Sequence, residues 1–211
     1  MEAHESVTAP YPSYRVARPK LVGGALCLDF VNTVEWRGAT DRAERLTNYG
    51  ELLTWAEAAG ALHRTARIRL EAAAKARPDA AARQLAAVIE LRETLAALFS
   101  ADPPRAAPLD PLNDWLERAP ERRRIAASAA GYGWAAARAD DDLALPLWPV
   151  VWSAADLLVS GGAARVRACT DRRCGWIFLD ASRSRRRRWC SMEACGNRAK
   201  ARRHYRKHRA A

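Results

Sequence analysis

No run of eighteen apolar residues occurs in the chain, so it offers no membrane-spanning helix. Nor is there a secretory apolar core: the opening residues carry His4, Glu5, Arg15, Arg18 and Lys20. The expectation is a cytoplasmic chain with no membrane partner, in a compartment where disulfides are rare. Catalytic signatures are also missing. There is no nucleophile elbow, no phosphate-binding glycine loop and no His-Glu metal motif. Gly23-Gly24 alone does not replace them, and His4 and His63 lack evident partners. A non-enzymatic protein is expected. No internal repeat is visible. Acidic residues nearly vanish from the C-terminal part. Residues 165–211 hold 16 Lys+Arg against 3 Asp+Glu (Asp171, Asp180, Glu193), while residues 1–164 hold 19 against 21. A nearly neutral body therefore precedes a strongly cationic module, the asymmetry of a polyanion binder.

Four of the five cysteines fall inside that cationic module, as Cys169-x4-Cys174 and Cys190-x4-Cys195 with fifteen residues between the pairs. Four thiolates on two short loops suit one tetrahedral Zn²⁺, and an all-cysteine set is a closed, structural site rather than a catalytic one. Two disulfides or redox cysteines are the competing reading, disfavoured by the expected compartment. Cys27 lies in the apolar run Ala25-Leu26-Cys27-Leu28 and reads as a small buried hydrophobe. Trp176, Phe178, Trp189 and Tyr205 are interspersed among the basic residues. A merely disordered tail would have few aromatics.

The remaining chain reads as mainly helical. Residues 1–20, with Pro10, Pro12 and Pro19, form an arm. A domain over 21–162 follows, and the basic module occupies 163–211. Helices are expected after Gly24, from Thr47 or Asn48 to Gly60, over 65–77, over 79–100 behind Pro78, over 109–118 and over 147–159. Asp102-Pro103-Pro104 marks a loop and Asp140-Asp141-Asp142 an acidic turn. Arg122–Ser128 and Tyr132–Arg138, joined through Ala129-Ala130-Gly131, read as a β-hairpin. The fold class is thus α+β, with a small hairpin on a helical domain and a C-terminal metal module. Asp29, Asn32 and Thr33 form a polar set in an apolar stretch. With Arg92 they are a candidate pocket for a small-molecule effector. Helix capping and internal hydrogen bonding are the alternative; for Arg92 it is a surface ion pair with Glu93 or Glu90, the preferred reading.

Cys169, Cys174-Gly175-Trp176-Ile177-Phe178-Leu179-Asp180 and Arg188-Trp189-Cys190-Ser191-Met192-Glu193-Ala194-Cys195-Gly196-Asn197-Arg198-Ala199-Lys200 resemble the CGNR zinc-finger family, whose name Cys195-Gly196-Asn197-Arg198 spells. Upstream, Leu28-Asp29-Phe30-Val31-Asn32-Thr33, Leu91-Arg92-Glu93 with Leu98-Phe99, and Ala154-Ala155-Asp156-Leu157-Leu158 resemble its partner, the ABATE domain. The resemblance covers about residues 20 to 208. It implies a stress-induced transcriptional regulator with a treble-clef-like finger. Cys169 and Cys174 then form a knuckle, and Trp176–Leu179 and Arg186–Cys190 pair as a hairpin. Cys195 opens a last helix from about Asn197 to His208.

On that helix Arg198, Arg202, Arg206 and Arg209 share a face, and Lys200 and Arg203 add charge. Arg185, Arg186, Arg187 and Arg188 supply a second basic edge. These arginines and the lysine are the expected contacts to duplex DNA, through phosphate first. His204 and His208, one turn apart, read as exposed helix residues, since four cysteines already suffice for the metal. An RNA partner, a protein partner, and a redox or metal sensor built on the cysteine site are the other readings. Compact DNA readers are often dimers, so a homodimer is an expected assembly, although no dimer seam is legible.

Overall fold

The structure, a computed structural model, describes residues 19–100, 109–122, 124–128, 131–135 and 141–209. Most of the expected arm, the Asp102-Pro103-Pro104 loop, the Ala129-Ala130 turn, residues 136–138 of the expected hairpin and Asp140 lie outside them.

Helix α1 (Leu26–Val31) starts just after Gly24, and its Cys27, Leu28, Phe30 and Val31 are buried. It packs against α4 (Pro78–Ser100), α6 (Trp148–Val159) and β6 (Ile177–Leu179), which makes it the centre of the core. Burial pushes the Cys27 thiol up to about 12, so it behaves as the inert hydrophobe its apolar neighbours suggest. Helix α2 (Tyr49–Ala58) is capped by Asn48, whose Oδ1 accepts the Glu51 N–H at 3.0 Å. Helix α3 (Arg64–Ala76) runs up to Pro78, which opens α4 where a missing N–H costs nothing. Helix α5 (Asp110–Arg118) sets Trp115 edge-on to Trp148, with ring centroids 5.8 Å apart. Strands β3 (Arg124–Ser128) and β4 (Gly131–Ala135) form the expected antiparallel hairpin among the described residues, with Gly131 already in the second strand.

A short ribbon of β1 (Val34–Glu35) and β2 (Ala43–Glu44) was not legible as strands, being two residues each. It is fixed by ion pairs instead. Arg92 is only 1 % exposed and reaches Glu44 Oε1 at 2.7 Å and Oε2 at 2.5 Å, the Thr33 hydroxyl at 3.2 Å, and Glu93 at 3.0 Å. The expected surface position of Arg92 is therefore wrong, although Glu93 is a partner. Its charge is buried because the ribbon brings Glu44 over it. Arg37 likewise pairs with Glu93 and Arg45 with Glu35.

The C-terminal module holds β5 (Val166–Ala168), β6 and α7 (Asn197–Arg209). Strand β6 pairs antiparallel with β5, in the register Val166↔Leu179 and Ala168↔Ile177. It does not pair with Arg186–Cys190, which forms no strand. The reason is local: Asp180 accepts N–H bonds from Ser182 at 3.0 Å and Arg187 at 3.1 Å, which folds the arginine segment into a loop. The other edge of β6 is taken by the N-terminal region. Asn32 Nδ2 donates to the Ile177 carbonyl at 2.9 Å, and its Oδ1 accepts the Ile177 N–H at 3.0 Å. Leu179 N–H then donates to the Gly23 carbonyl at 2.7 Å. One side-chain amide thus does the work of a strand residue. Val166 and Ile177 consequently belong to the same core as α1, α4 and α6.

This arrangement makes a strong demand on one residue. Asn32→Leu leaves the buried N–H and C=O of Ile177 without partners and should cost about 2–4 kcal/mol in urea unfolding. Loss of the exposed Asn48 cap in Asn48→Ala should cost about 1 kcal/mol.

Candidate metal centre and basic face

Cys169 and Cys174 lie on the knuckle between β5 and β6; Cys190 and Cys195 lie at the start and inside of the turn that leads into α7. The four Sγ atoms all lie within 4.8 Å of one another, and all four residues are buried. Cys174 and Cys190 are 3.6 Å apart, and Cys190 and Cys195 are 3.5 Å apart. An ion about 2.3 Å from each sulfur of a tetrahedron sets neighbouring sulfurs about 3.8 Å apart, so the donor set fits one tetrahedral cation. All five cysteines of the chain are free thiols. Crowding divides the protons unequally. Hydrogen bonds from Cys174 and Cys190 hold the Cys169 thiol low, while its neighbours push Cys174 up and burial pushes Cys195 up.

The sequence around the cysteines explains their convergence. Gly175 has φ +64°, and a Cβ there would lie 2.7 Å from the Gly38 nitrogen. Gly38 in turn abuts the Arg172 carbonyl so closely that no side chain fits. The Arg37 N–H donates to the Cys174 carbonyl at 3.2 Å, and Trp176 Nε1 donates to the Val34 carbonyl at 2.7 Å. The ribbon therefore presses on the knuckle from outside. Trp176 and Phe178 pack with the four cysteines, with Trp189 and Val22 alongside, as the aromatic content predicts. Ser191 caps the turn over Met192–Gly196 before α7 begins.

Eight of the nine expected nucleic-acid contacts separate into two groups. Arg187 and Arg198 are turned inward. The Arg187 guanidinium sits 4.1 Å over the Phe178 ring and donates to the carbonyls of Trp189, Cys190 and Val22. Arg198 donates to Cys195 Sγ at 2.9 Å and to Asp171 Oδ2 at 3.2 Å, and lies 4.7 Å over Trp36. Sequence reasoning missed Trp36 and Asp171. Trp36 has φ +54° at the ribbon tip and is flanked by Arg173 at 5.5 Å as well. Asp171 is buried and also receives Arg202 at 3.4 Å, so the face Arg198–Arg202 is the anchored side of the helix. Arg185, Arg186, Arg188, Lys200, Arg202 and Arg203 are exposed. Arg206 lies on α7, with its side chain outside the described residues.

Of the expected effector residues, Asp29, Asn32 and Thr33 line one small cleft with room for about a single water molecule, together with Lys20, Arg45, Trp55 and Trp176. Arg92 does not line it. Burial pushes Asp29 up to about 6, although its Oδ1 accepts the Gly23 N–H at 2.7 Å. Its ionisation therefore opposes folding: stability is fullest below about pH 4, the unfolded value, and declines as pH rises through 6. Asn at this position keeps the acceptor without the charge. Asp29→Asn should change stability little near pH 4 and gain about 1–2 kcal/mol relative to wild type by pH 7, read by urea unfolding. Arg198→Ala, which removes the donor to Cys195 and one of two cations on buried Asp171, should cost about 1–3 kcal/mol, whereas exposed Lys200→Ala should stay within about 0.5 kcal/mol.

Comparison with curated proteins gives no match. Family models match nearly all of the described chain. Residues 24–161 match the ABATE model, described as "Putative stress-induced transcription regulator", and residues 165–208 match the CGNR zinc finger. With the four cysteines clustered and the first model covering more than half of its length, the chain belongs to the ABATE family and carries a C-terminal CGNR zinc finger.

Proposed function

We propose that the chain is a cytoplasmic, non-enzymatic transcription regulator that binds one structural Zn²⁺ and uses its basic C-terminal face to bind duplex DNA. The observation that carries this reading is the coupling of two features. A buried four-sulfur centre fixes the root of α7, and the same module displays exposed Arg185, Arg186, Arg188, Lys200, Arg202 and Arg203. A closed four-cysteine site leaves no open position for catalysis, so its role is to supply folding energy. The exposed cations supply phosphate contacts. Lys200 and Arg203 lead the outward side of the helix, since Arg198 and Arg202 are engaged with Asp171.

A sensor role for the N-terminal domain would run through the small cleft beside the finger. Asn32 and Trp176 line it, and both also hold the finger in place. A small molecule that widened the cleft against them would have a direct mechanical route to the DNA-binding module. A homodimer would present two such modules, and an RNA competitor distinguishes structured RNA from duplex DNA as the partner.

Two measurements test the proposal. Metal analysis should give one zinc per chain, and its removal by a strong chelator should lower the melting temperature by roughly 10 °C or more, because β6 belongs to the main core. Binding to duplex DNA should weaken steeply with salt, and Lys200→Ala and Arg203→Ala should each reduce the log–log salt slope by about one. Salt-insensitive binding, or none, sinks the DNA reading and leaves a protein partner for the basic face.

A further inference from the structure

Helix α7 carries a pair of imidazoles that the four-cysteine centre does not use. His204 and His208 are exposed and one helical turn apart, with ring centroids 4.3 Å apart. Their Nε2 atoms are turned towards each other at 3.1 Å. Two neutral rings at this distance share a single hydrogen bond, one nitrogen donating and the other accepting. The same distance suits two ligand atoms on one ion. With metal–nitrogen bonds of roughly 2.0–2.1 Å, it closes an angle of about 100° at the metal, between the octahedral and tetrahedral values.

We propose that His204 and His208 form a second metal site, a two-histidine chelate for a divalent transition-metal ion. The donor set decides the class of ion. Imidazole nitrogen favours Ni²⁺, Cu²⁺ and Zn²⁺, and gives little hold on Mg²⁺ or Ca²⁺, which seek oxygen. Both rings must be neutral to bind, so acid competes with the metal. Two ligands leave the remaining coordination positions open. The surroundings say what fills them: Lys200 lies one turn before His204 on the same side of the helix, and Arg202 and Arg203 are exposed next to it. This positive field opposes a bare dication and draws anionic oxygen to it. A phosphate of bound nucleic acid has that chemistry, so the ion would bridge α7 to the backbone. The bridging role rests on the DNA-binding reading above; the metal site itself does not.

The test uses untagged, full-length protein with one zinc in its cysteine site, titrated with Ni²⁺ by calorimetry without nucleic acid. The wild type should take up one further equivalent, and His204→Gln and His208→Gln should each bind it at least tenfold more weakly. Zinc content and melting temperature should not change in either variant, because both side chains are exposed. A wild type that takes up no further Ni²⁺, or variants that bind it equally well, would show that the contact is only a histidine–histidine hydrogen bond and overturn the site. Adding duplex DNA then tests the bridge. Ni²⁺ should tighten duplex binding several-fold in the wild type and not in the variants, and equal tightening in all three overturns the bridge. If the chain binds no duplex at all, the DNA reading fails while the calorimetric result stands.

Discussion

Four sulfur atoms within 4.8 Å of one another are an unfavourable arrangement for thiolates and a favourable one around a dication. Much of the molecule depends on that arrangement. The knuckle, the turn before α7 and the loop after Asp180 bury little apolar surface of their own; Trp176, Phe178 and Trp189 gather on the cysteines rather than on a separate core. The centre also reaches backward. Its knuckle is clamped by Arg37, Gly38 and Val34 of the ribbon, and the ribbon is clamped to α4 through Arg92, Glu44 and Glu93. A chain of contacts thus runs from the middle of α4 to the metal ligands, and every link in it is polar or charged.

Polar links of this kind carry specificity more than net stability. A half-buried ion pair such as Arg92–Glu44, in which Arg92 is buried and Glu44 still meets solvent, returns little beyond the cost of stripping the arginine of water, yet removing Glu44 leaves that charge short of its main partner. The same applies to Arg198 between Cys195 Sγ and Asp171. Arginine suits both positions because its planar fork bonds in several directions at once and also lies over a ring, here Phe178 for Arg187 and Trp36 for Arg198. Part of the positive charge of the C-terminal module is therefore spent inside the module.

What was legible in the sequence followed from local rules. Helix boundaries were marked by Asn48, Pro78 and Gly24, and the metal ligands by the spacing of four cysteines in a basic module. What was not legible depended on contacts between distant residues. Nothing near Arg92 in the chain announces Glu44, 48 residues away, so the side chain read as a surface cation. The strand partner of β6 was misplaced because the resemblance implies a hairpin with Arg186–Cys190, whereas Asp180 gathers that arginine run into a loop. Trp36 carried no signal at all, since a lone tryptophan in a polar stretch says nothing about which cations will flank it. The split of the basic residues into anchored and exposed groups likewise needed the position of Asp171, an acid conspicuous only for standing among arginines.

The pairing of Asn32 with Ile177 has a consequence for solubility. A strand edge normally presents a row of open N–H and C=O groups, which recruits strands from other molecules and seeds aggregation. Strand β6 has β5 on one edge, and a single carboxamide with the Gly23 carbonyl on the other. A carboxamide satisfies one residue and stops, because it has no neighbouring peptide through which the ladder can propagate. The second edge of this small sheet is closed without creating a new one, and the module keeps no free edge of β6 to present to neighbouring molecules when it is crowded.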